Sequence, residues 1–239
     1  MTSLHYKIIV RNLSPRLQHF HVFQKRAEFQ SSSTIASISS SSIGCRAVDE
    51  FSSTGSEISF ELGRQIYAGA VSTAPGTTVP QPATFAVENE ARWPINTVRA
   101  IRRVELTSTK STNALNSSVL SLNPLGLSHP IYSPEIAAGA FGVNLPPYDP
   151  SPFPELCWGV AALSAEGCIM LSSYITPPPN SMVTCSPQQV FFVKTGFVPD
   201  GDAIFYDESH AARCDFTTGL RKILVNYNAD GTFSTSDIP

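Results

Sequence analysis

The chain has few charged residues and no concentrated excess of either sign. Charged side chains make up 15% of the 239 residues and the formal net charge is -3, whereas soluble domains typically carry roughly 25%. Nucleic-acid binding needs a dense cluster of Lys and Arg that displaces counterions from phosphates. We therefore expect no nucleic-acid partner, and a surface made polar mainly by Ser, Thr and Asn.

Long hydrophobic runs are also missing. No stretch reaches the roughly 18 apolar residues of a membrane-spanning helix. The opening residues MTSLHYKIIVRN lack the charged start and apolar centre of a secretory signal. This pattern predicts a cytoplasmic protein with no membrane span; a secreted form whose signal has been trimmed is the alternative.

The spacing of the cysteines shows no motif typical of disulfide or metal-binding pairs. The five cysteines are widely spaced and include no C-x-x-C pair; they are Cys45, Cys157, Cys168, Cys185 and Cys214. An odd number without a framework predicts free thiols in a reducing compartment. Two glycosylation sequons begin at Asn12 and Asn116, but so short a pattern arises often by chance.

Motifs that carry well-known chemistry are missing as well. The sequence contains no G-x-S-x-G, no H-E-x-x-H and no glycine-rich phosphate loop. Nucleotide cofactors need such a loop at a helix N-terminus. We therefore expect no cofactor.

Short apolar runs separated by turn residues recur from one end of the chain to the other, without a sustained 3.6-residue period. We expect a hairpin-like start, from 6–11 to 19–24, and a short strand inside the serine-rich stretch 31–44. Three later hairpins are predicted: 156–163 with 168–175, 189–196 with 202–207, and 221–227 with 232–237. Eleven of the 19 prolines lie between Pro124 and Pro179, which indicates extended loops there.

These features predict an all-β fold, an antiparallel two-sheet β-sandwich of the jelly-roll kind with long Pro-rich loops. At most one or two short helices are expected, the clearest at 133–142, where Ser133 would cap and Pro134 would begin the helix. We expect a single domain over 1–239, with a two-part organisation, 1–110 and 111–239, as the alternative.

The stretch HFHVFQ raises the question of a metal site. In a strand, His19, His21 and Phe23 would share one face and Phe20 and Val22 the other. The pair resembles the H-x-H of cupin barrels, but Glu28 comes later than the acid of that motif. We therefore predict no metal site and a solvated or partly packed histidine face.

A cluster of titratable residues in FYDESHAARCDF is the candidate catalytic group. Asp207, His210 and Arg213 crowd into a loop after a strand, and Lys194 precedes them on a strand. A carboxylate beside a histidine poises it for proton transfer. The alternative is a polar turn with local ion pairs.

No Lys or Arg occurs between Lys110 and Lys194, and this stretch is rich in aromatic residues. It either forms core, contacts another subunit in a homo-oligomer, or lines an apolar cavity. In the last case we expect the substrate contacts to be Trp158, Tyr174, Tyr132 and Phe192.

The two ends of the chain, YKIIVRNLSPRLQHFHVFQK with QVFFVKTG and NYNADGTF, resemble β-rich proteins that accompany secondary-metabolite gene clusters in fungi. The resemblance implies a cofactor-independent enzyme that binds a lipophilic small molecule and steers its cyclisation or cycloaddition, as a cyclase, isomerase or Diels-Alderase does. Such chemistry needs mainly orientation and a hydrogen-bond donor. The alternative is a non-catalytic carbohydrate- or protein-binding β-sandwich module.

Overall fold

The computed structural model describes residues 5–35, 37–73, 97–108, 113–149, 156–163 and 169–238. Cys168 and the turn expected between 156–163 and 168–175 lie outside these residues, as does TFAVE at 84–88, which the sequence also predicts as a strand. The described part is nearly all β, as the sequence predicts. In chain order its elements are β1 (His5–Asn12), β2 (Gln18–Gln24), β3 (Glu28–Ser31), β4 (Ser39–Ser40), β5 (Gly44–Val48), α1 (Phe51–Thr54), β6 (Ile58–Gly63), β7 (Tyr67–Thr73), β8 (Thr97–Arg103), β9 (Ser117–Leu122), β10 (Leu125–Leu127), β11 (Phe141–Asn144), β12 (Cys157–Leu163), β13 (Ile169–Ile175), β14 (Met182–Ser186), β15 (Val190–Thr195), β16 (Ala212–Asp215), β17 (Lys222–Tyr227) and β18 (Phe233–Ile238).

The strands form four sheets, where the sequence predicted two. Their strand orders are β18-β17-β1-β6 (sheet I), β16-β15-β2-β5 (sheet II), β10-β9-β11-β14-β3 (sheet III) and β4-β13-β12-β7-β8 (sheet IV). The expectation of purely antiparallel sheets was wrong, because β1 pairs with β17, and β9 with β11, in parallel. Parallel neighbours need a long connection, and both pairs join strands that are distant in sequence.

The four sheets enclose two main cores. Side chains from sheets I and II share one buried cluster, which includes Ile8, Phe20, Phe60, Val193 and Val225. Sheets III and IV share a second, which includes Leu120, Phe141, Trp158, Ile175 and Val183. Sheets I and II both combine strands from the two ends of the chain, so strand pairing does not follow a division at residue 110.

Two of the predicted hairpins are confirmed in their pairing and two are not. Strands β12 and β13 pair antiparallel, as do β17 and β18. The start is not a hairpin, because β1 belongs to sheet I and β2 to sheet II. Strand β15 pairs with β2 and β16; residues 202–207 form only a bridge, between Ala203 and Ser41. Alternation identified these strands, but partners are chosen by the buried faces.

The helix predicted at 133–142 was wrong, since the residues before β11 form turns. The Asn116 side chain occupies both the N–H and the C=O of Ser133, at 2.8 and 3.0 Å. Gly139 has a φ of 81°, which a right-handed helix does not accommodate. The one helix among the described residues is α1.

The serine-rich stretch contains the expected short strand, β4, and Ser40 of this strand and the serines just after it are buried. Ser40, Ser41 and Ser42 are almost wholly buried. Their backbone bonds to β13 on one side, through Ser41 N to Ser172 O at 3.3 Å, and to residues 201–204 on the other. We call residues 39–42 the serine crossing, because here the chain passes from sheet IV to sheet II.

Asn12 and Asn116, the two sequon asparagines, are also completely buried. Asn12 donates to the carbonyls of Arg16 and Val48, at 2.7 and 3.2 Å. Asn116 donates to Thr107 Oγ1 at 2.7 Å. Both amides therefore hold backbone in place and are not presented for glycosylation in the folded chain.

Beside the serine crossing, Ser172 Oγ donates to Gln24 Oε1 at 2.7 Å, and both residues are buried. We expect Ser172→Ala to lower the free energy of unfolding by about 1–2 kcal/mol, because the amide oxygen loses its donor. Urea unfolding is the measurement. The matched control Ser234→Ala, on the exposed face of β18, should have little effect; equal losses in the two variants would contradict the assignment.

Candidate functional site

The outer face of sheet II carries most of the predicted polar site. On β2, Phe20 and Val22 point into the core with sheet I, while Phe23 belongs to a separate cluster on the opposite side. This confirms the alternation predicted for HFHVFQ. Register places Phe192 opposite Arg213 and Lys194 opposite His21, so these four side chains share the outer face.

Residues 196–211, between β15 and β16, cover this face. Ile204, Tyr206 and Ala211 pack against Phe23, Val190 and Phe192. Tyr206 meets Phe23 edge to face, with ring centroids 5.7 Å apart, and the guanidinium of Arg26 lies over the Tyr206 ring at 4.4 Å. Phe192 is therefore buried beneath the covering segment rather than facing solvent.

Lys194 and Asp207 are brought together as an ion pair, with Nζ and Oδ2 2.7 Å apart. Asp207 also accepts hydrogen bonds from the Ser209 backbone N–H and hydroxyl, at 2.9 and 2.6 Å. The bond from Lys194, followed by those from Ser209, lowers the pKa of Asp207. The carboxylate stays ionised and closes the turn that precedes His210.

The other predicted catalytic residues do not join that pair. Arg213 donates to Asp215 at 2.8 Å, and this bond, with that from Thr217, lowers the pKa of Asp215 to about 2. His210 is exposed and has a φ of 53°. Both observations fit the polar turn with local ion pairs that the sequence left as the alternative.

His21 also lies on this face, although the sequence analysis did not select it as a catalytic residue. Its side chain is buried, stacks on Phe23, and places Nδ1 3.1 Å from the carbonyl oxygen of Gly196. A carbonyl only accepts, so Nδ1 carries the proton of the neutral ring and Nε2 keeps the lone pair. Burial lowers the pKa of His21, and nearby Lys194 adds to that effect.

Cys45 extends the row of side chains across the sheet. It lies directly opposite His21 on β5, and cross-strand neighbours of this kind have Cβ atoms about 5 Å apart. Burial raises the pKa of the Cys45 thiol. A thiol and a neutral imidazole side by side do not form the thiolate–imidazolium pair of cysteine nucleophiles.

This face therefore offers one neutral proton acceptor, His21 Nε2. Beside it lies Lys194, whose positive charge is balanced by the carboxylate of Asp207. His19 packs its ring edge against Phe197, with centroids 5.3 Å apart. Within the described ranges, no three His, Cys, Asp or Glu side chains converge in the way a metal site requires.

Two of the predicted substrate contacts belong to the interior. Trp158 is completely buried in the core of sheets III and IV, edge to face with Phe141 and Phe29. Tyr174 lies on the other face of sheet IV, packed with Val71 and Leu171. Burial raises the pKa of Tyr174, whose hydroxyl bonds to the Ser41 side chain. Both rings belong to sheet IV, whereas Lys194 belongs to sheet II.

Tyr132 is the exposed member of the predicted set, and it lies beside three exposed aliphatic residues. Ile131 forms a bridge with Ser117 of β9, and Leu115 and Val119 lie two residues on either side of Ser117. Val119 shares the face of Ser117 and Ile131, and diagonal neighbours on a sheet face are about 7–8 Å apart. Leu115 and Tyr132 lie next to this pair along the chain. We call Leu115, Val119, Ile131 and Tyr132 the sheet III patch; their exposed fractions are 43%, 49%, 63% and 38%.

Comparisons with protein-family models, with curated proteins and with solved structures found no match to this chain. Among the helices that the structure describes, none has the length and apolar character needed to cross a membrane.

The buried imidazole of His21 predicts a measurable pH dependence. Its pKa in the folded chain lies below the ordinary value of 6.5, so the unfolded chain binds the proton more readily in the window between the two values. Folding stability is therefore lost as pH falls from 6.5 through the folded pKa. An NMR titration of the His21 Cε1–H should give a midpoint below 6.5; a midpoint at or above 6.5 would show that the ring is solvated.

Proposed function

We propose that this chain is a non-catalytic, protein-binding β-sandwich protein, and that the sheet III patch is its binding surface. The observation that carries the proposal is the group of adjacent exposed apolar side chains at Leu115, Val119 and Ile131. Isolated exposed apolar residues are ordinary, but adjacent ones mark interaction sites. The patch lies in a chain whose predicted catalytic and substrate residues are paired, buried or dispersed.

The composition of the patch favours a protein partner over a carbohydrate. Sugars bind to flat aromatic faces with polar groups around them, and the patch has a single aromatic ring, Tyr132. Three of its four members are branched aliphatic residues, which pack against the apolar centre of a protein interface. Tyr132 adds an amphipathic side chain of the kind enriched in such interfaces.

The double variant Val119→Asp/Ile131→Asp tests this proposal. We expect affinity purification from the producing cells to recover a partner with the wild-type chain and to lose it with the variant. With the purified partner, calorimetry should show binding weakened at least about tenfold, since the charges would be buried without counterions.

Leu17→Asp is the matched control, because Leu17 is a similarly exposed apolar residue, at 53%, in the connection before β2. This variant should bind as the wild type does, and all variants should keep the wild-type thermal unfolding midpoint. A partner that the double variant retains with unchanged affinity would show that the patch is not the binding surface.

A cofactor-independent enzyme acting on a lipophilic small molecule is the second candidate, and His21 favours it. A neutral imidazole with a fixed tautomer above Phe23 is a suitable general base for a cyclisation. Native mass spectrometry of the protein from the producing organism should then reveal a bound metabolite. The His21→Gln chain should bind this metabolite but no longer convert it. A chain that carries no metabolite would count against this candidate.

A further inference from the structure

The end strands of sheets I and II lie side by side at one corner of the molecule. Strand β6 ends the order of sheet I, and β5 ends that of sheet II. They approach closely at Gly44, where an added Cβ would lie 2.8 Å from the Phe60 ring. Among the described strands, each has a neighbour on one side only. Such an edge presents unpaired N–H and C=O groups to whatever lies beside it.

A cleft of about 280 Å³ opens between these two edges. One wall is the start of β6 and the residue before it, and the other is Arg46 of β5. The lining residues are Arg46, Glu57, Ile58, Ser59 and Glu61. The volume is close to the lower limit of sites that hold small ligands, and the polar walls distinguish this cleft from an apolar cavity.

The charges of the cleft are unequally compensated. Glu57 pairs with Arg11 at 3.0 Å, and Glu61 lies 3.8 Å from Lys7. Each carboxylate therefore has a cation of β1 beside it. Arg46 is exposed and has no ion pair among those found in the described residues. The cleft consequently offers one uncompensated cation beside a free strand edge.

We propose that this cleft binds an extended peptide segment carrying an acidic side chain. The peptide backbone pairs with the free edge of β6 and extends sheet I, in the manner of strand addition. The carboxylate lies against the guanidinium of Arg46, whose planar donors match it in two parallel hydrogen bonds. Charge complementarity selects an acidic segment over a basic one.

The site is independent of the proposed function, because it lies on sheets I and II rather than on sheet III. A segment bound here could belong to the same partner or to another protein. Failure of one proposal leaves the other unaffected, since the variants that test them do not overlap.

The probe is a blocked eight-residue peptide of alternating Thr and Glu, labelled for fluorescence anisotropy. We expect it to bind the full chain at least about tenfold more tightly than the peptide of alternating Thr and Lys. Arg46→Gln should weaken binding of the acidic peptide about five- to tenfold, whereas the matched control Arg103→Gln, on exposed Arg103 of β8, should leave it unchanged.

Two further peptides test the backbone pairing. Methylating the backbone nitrogens of either the four Thr or the four Glu residues blocks donors on opposite edges of an extended strand. We expect the two isomers to differ at least about fivefold in affinity, because only one edge can pair with β6. Equal affinity of the two isomers, equal binding of acidic and basic peptides, or an unchanged affinity in Arg46→Gln would each overturn the proposal.

Discussion

The passage of the chain between the two cores depends on backbone hydrogen bonds made on both sides of a buried run of serines. At the serine crossing, Ser41 N bonds to Ser172 O of β13, while Ile204 N bonds to Ser40 O from the opposite side, at 2.9 Å. Buried hydroxyls take up further bonds: that of Ser42 donates to the Val198 carbonyl at 3.1 Å. Sheets II and IV therefore meet through polar backbone at this point, in addition to the apolar contact that Met170 of β13 makes with the core of sheets I and II.

This crossing also positions the segment that covers sheet II. Residues 201–204 are held against it by backbone bonds, including Gly201 N to Ser42 O at 2.8 Å. The covering segment then places Tyr206 over Phe23 and Asp207 beside Lys194. The serine-rich stretch is in this way a structural part of the face that carries His21, Lys194 and Asp207.

Sequence reasoning succeeded for this face where the information was local. Alternation in HFHVFQ fixed which side chains of β2 share a side. It failed for His21, because the Gly196 carbonyl that fixes its tautomer lies 175 residues away. It also treated Trp158 as a ligand contact, since the sequence alone does not show whether an aromatic residue is covered by another sheet.

The sequence by itself determined the all-β character, the positions of strands such as β1, β2, β12, β13, β17 and β18, and the facing of the side chains in HFHVFQ, because these follow from a two-residue period and from turn chemistry. Tertiary structure decided the number of sheets, the two parallel pairings and the partners of β1, β2 and β15. The reason is physical: hydrogen-bonding edges are alike in every strand, so partners are selected by which buried faces fit together. The same selection placed Val119 and Ile131 side by side at the surface.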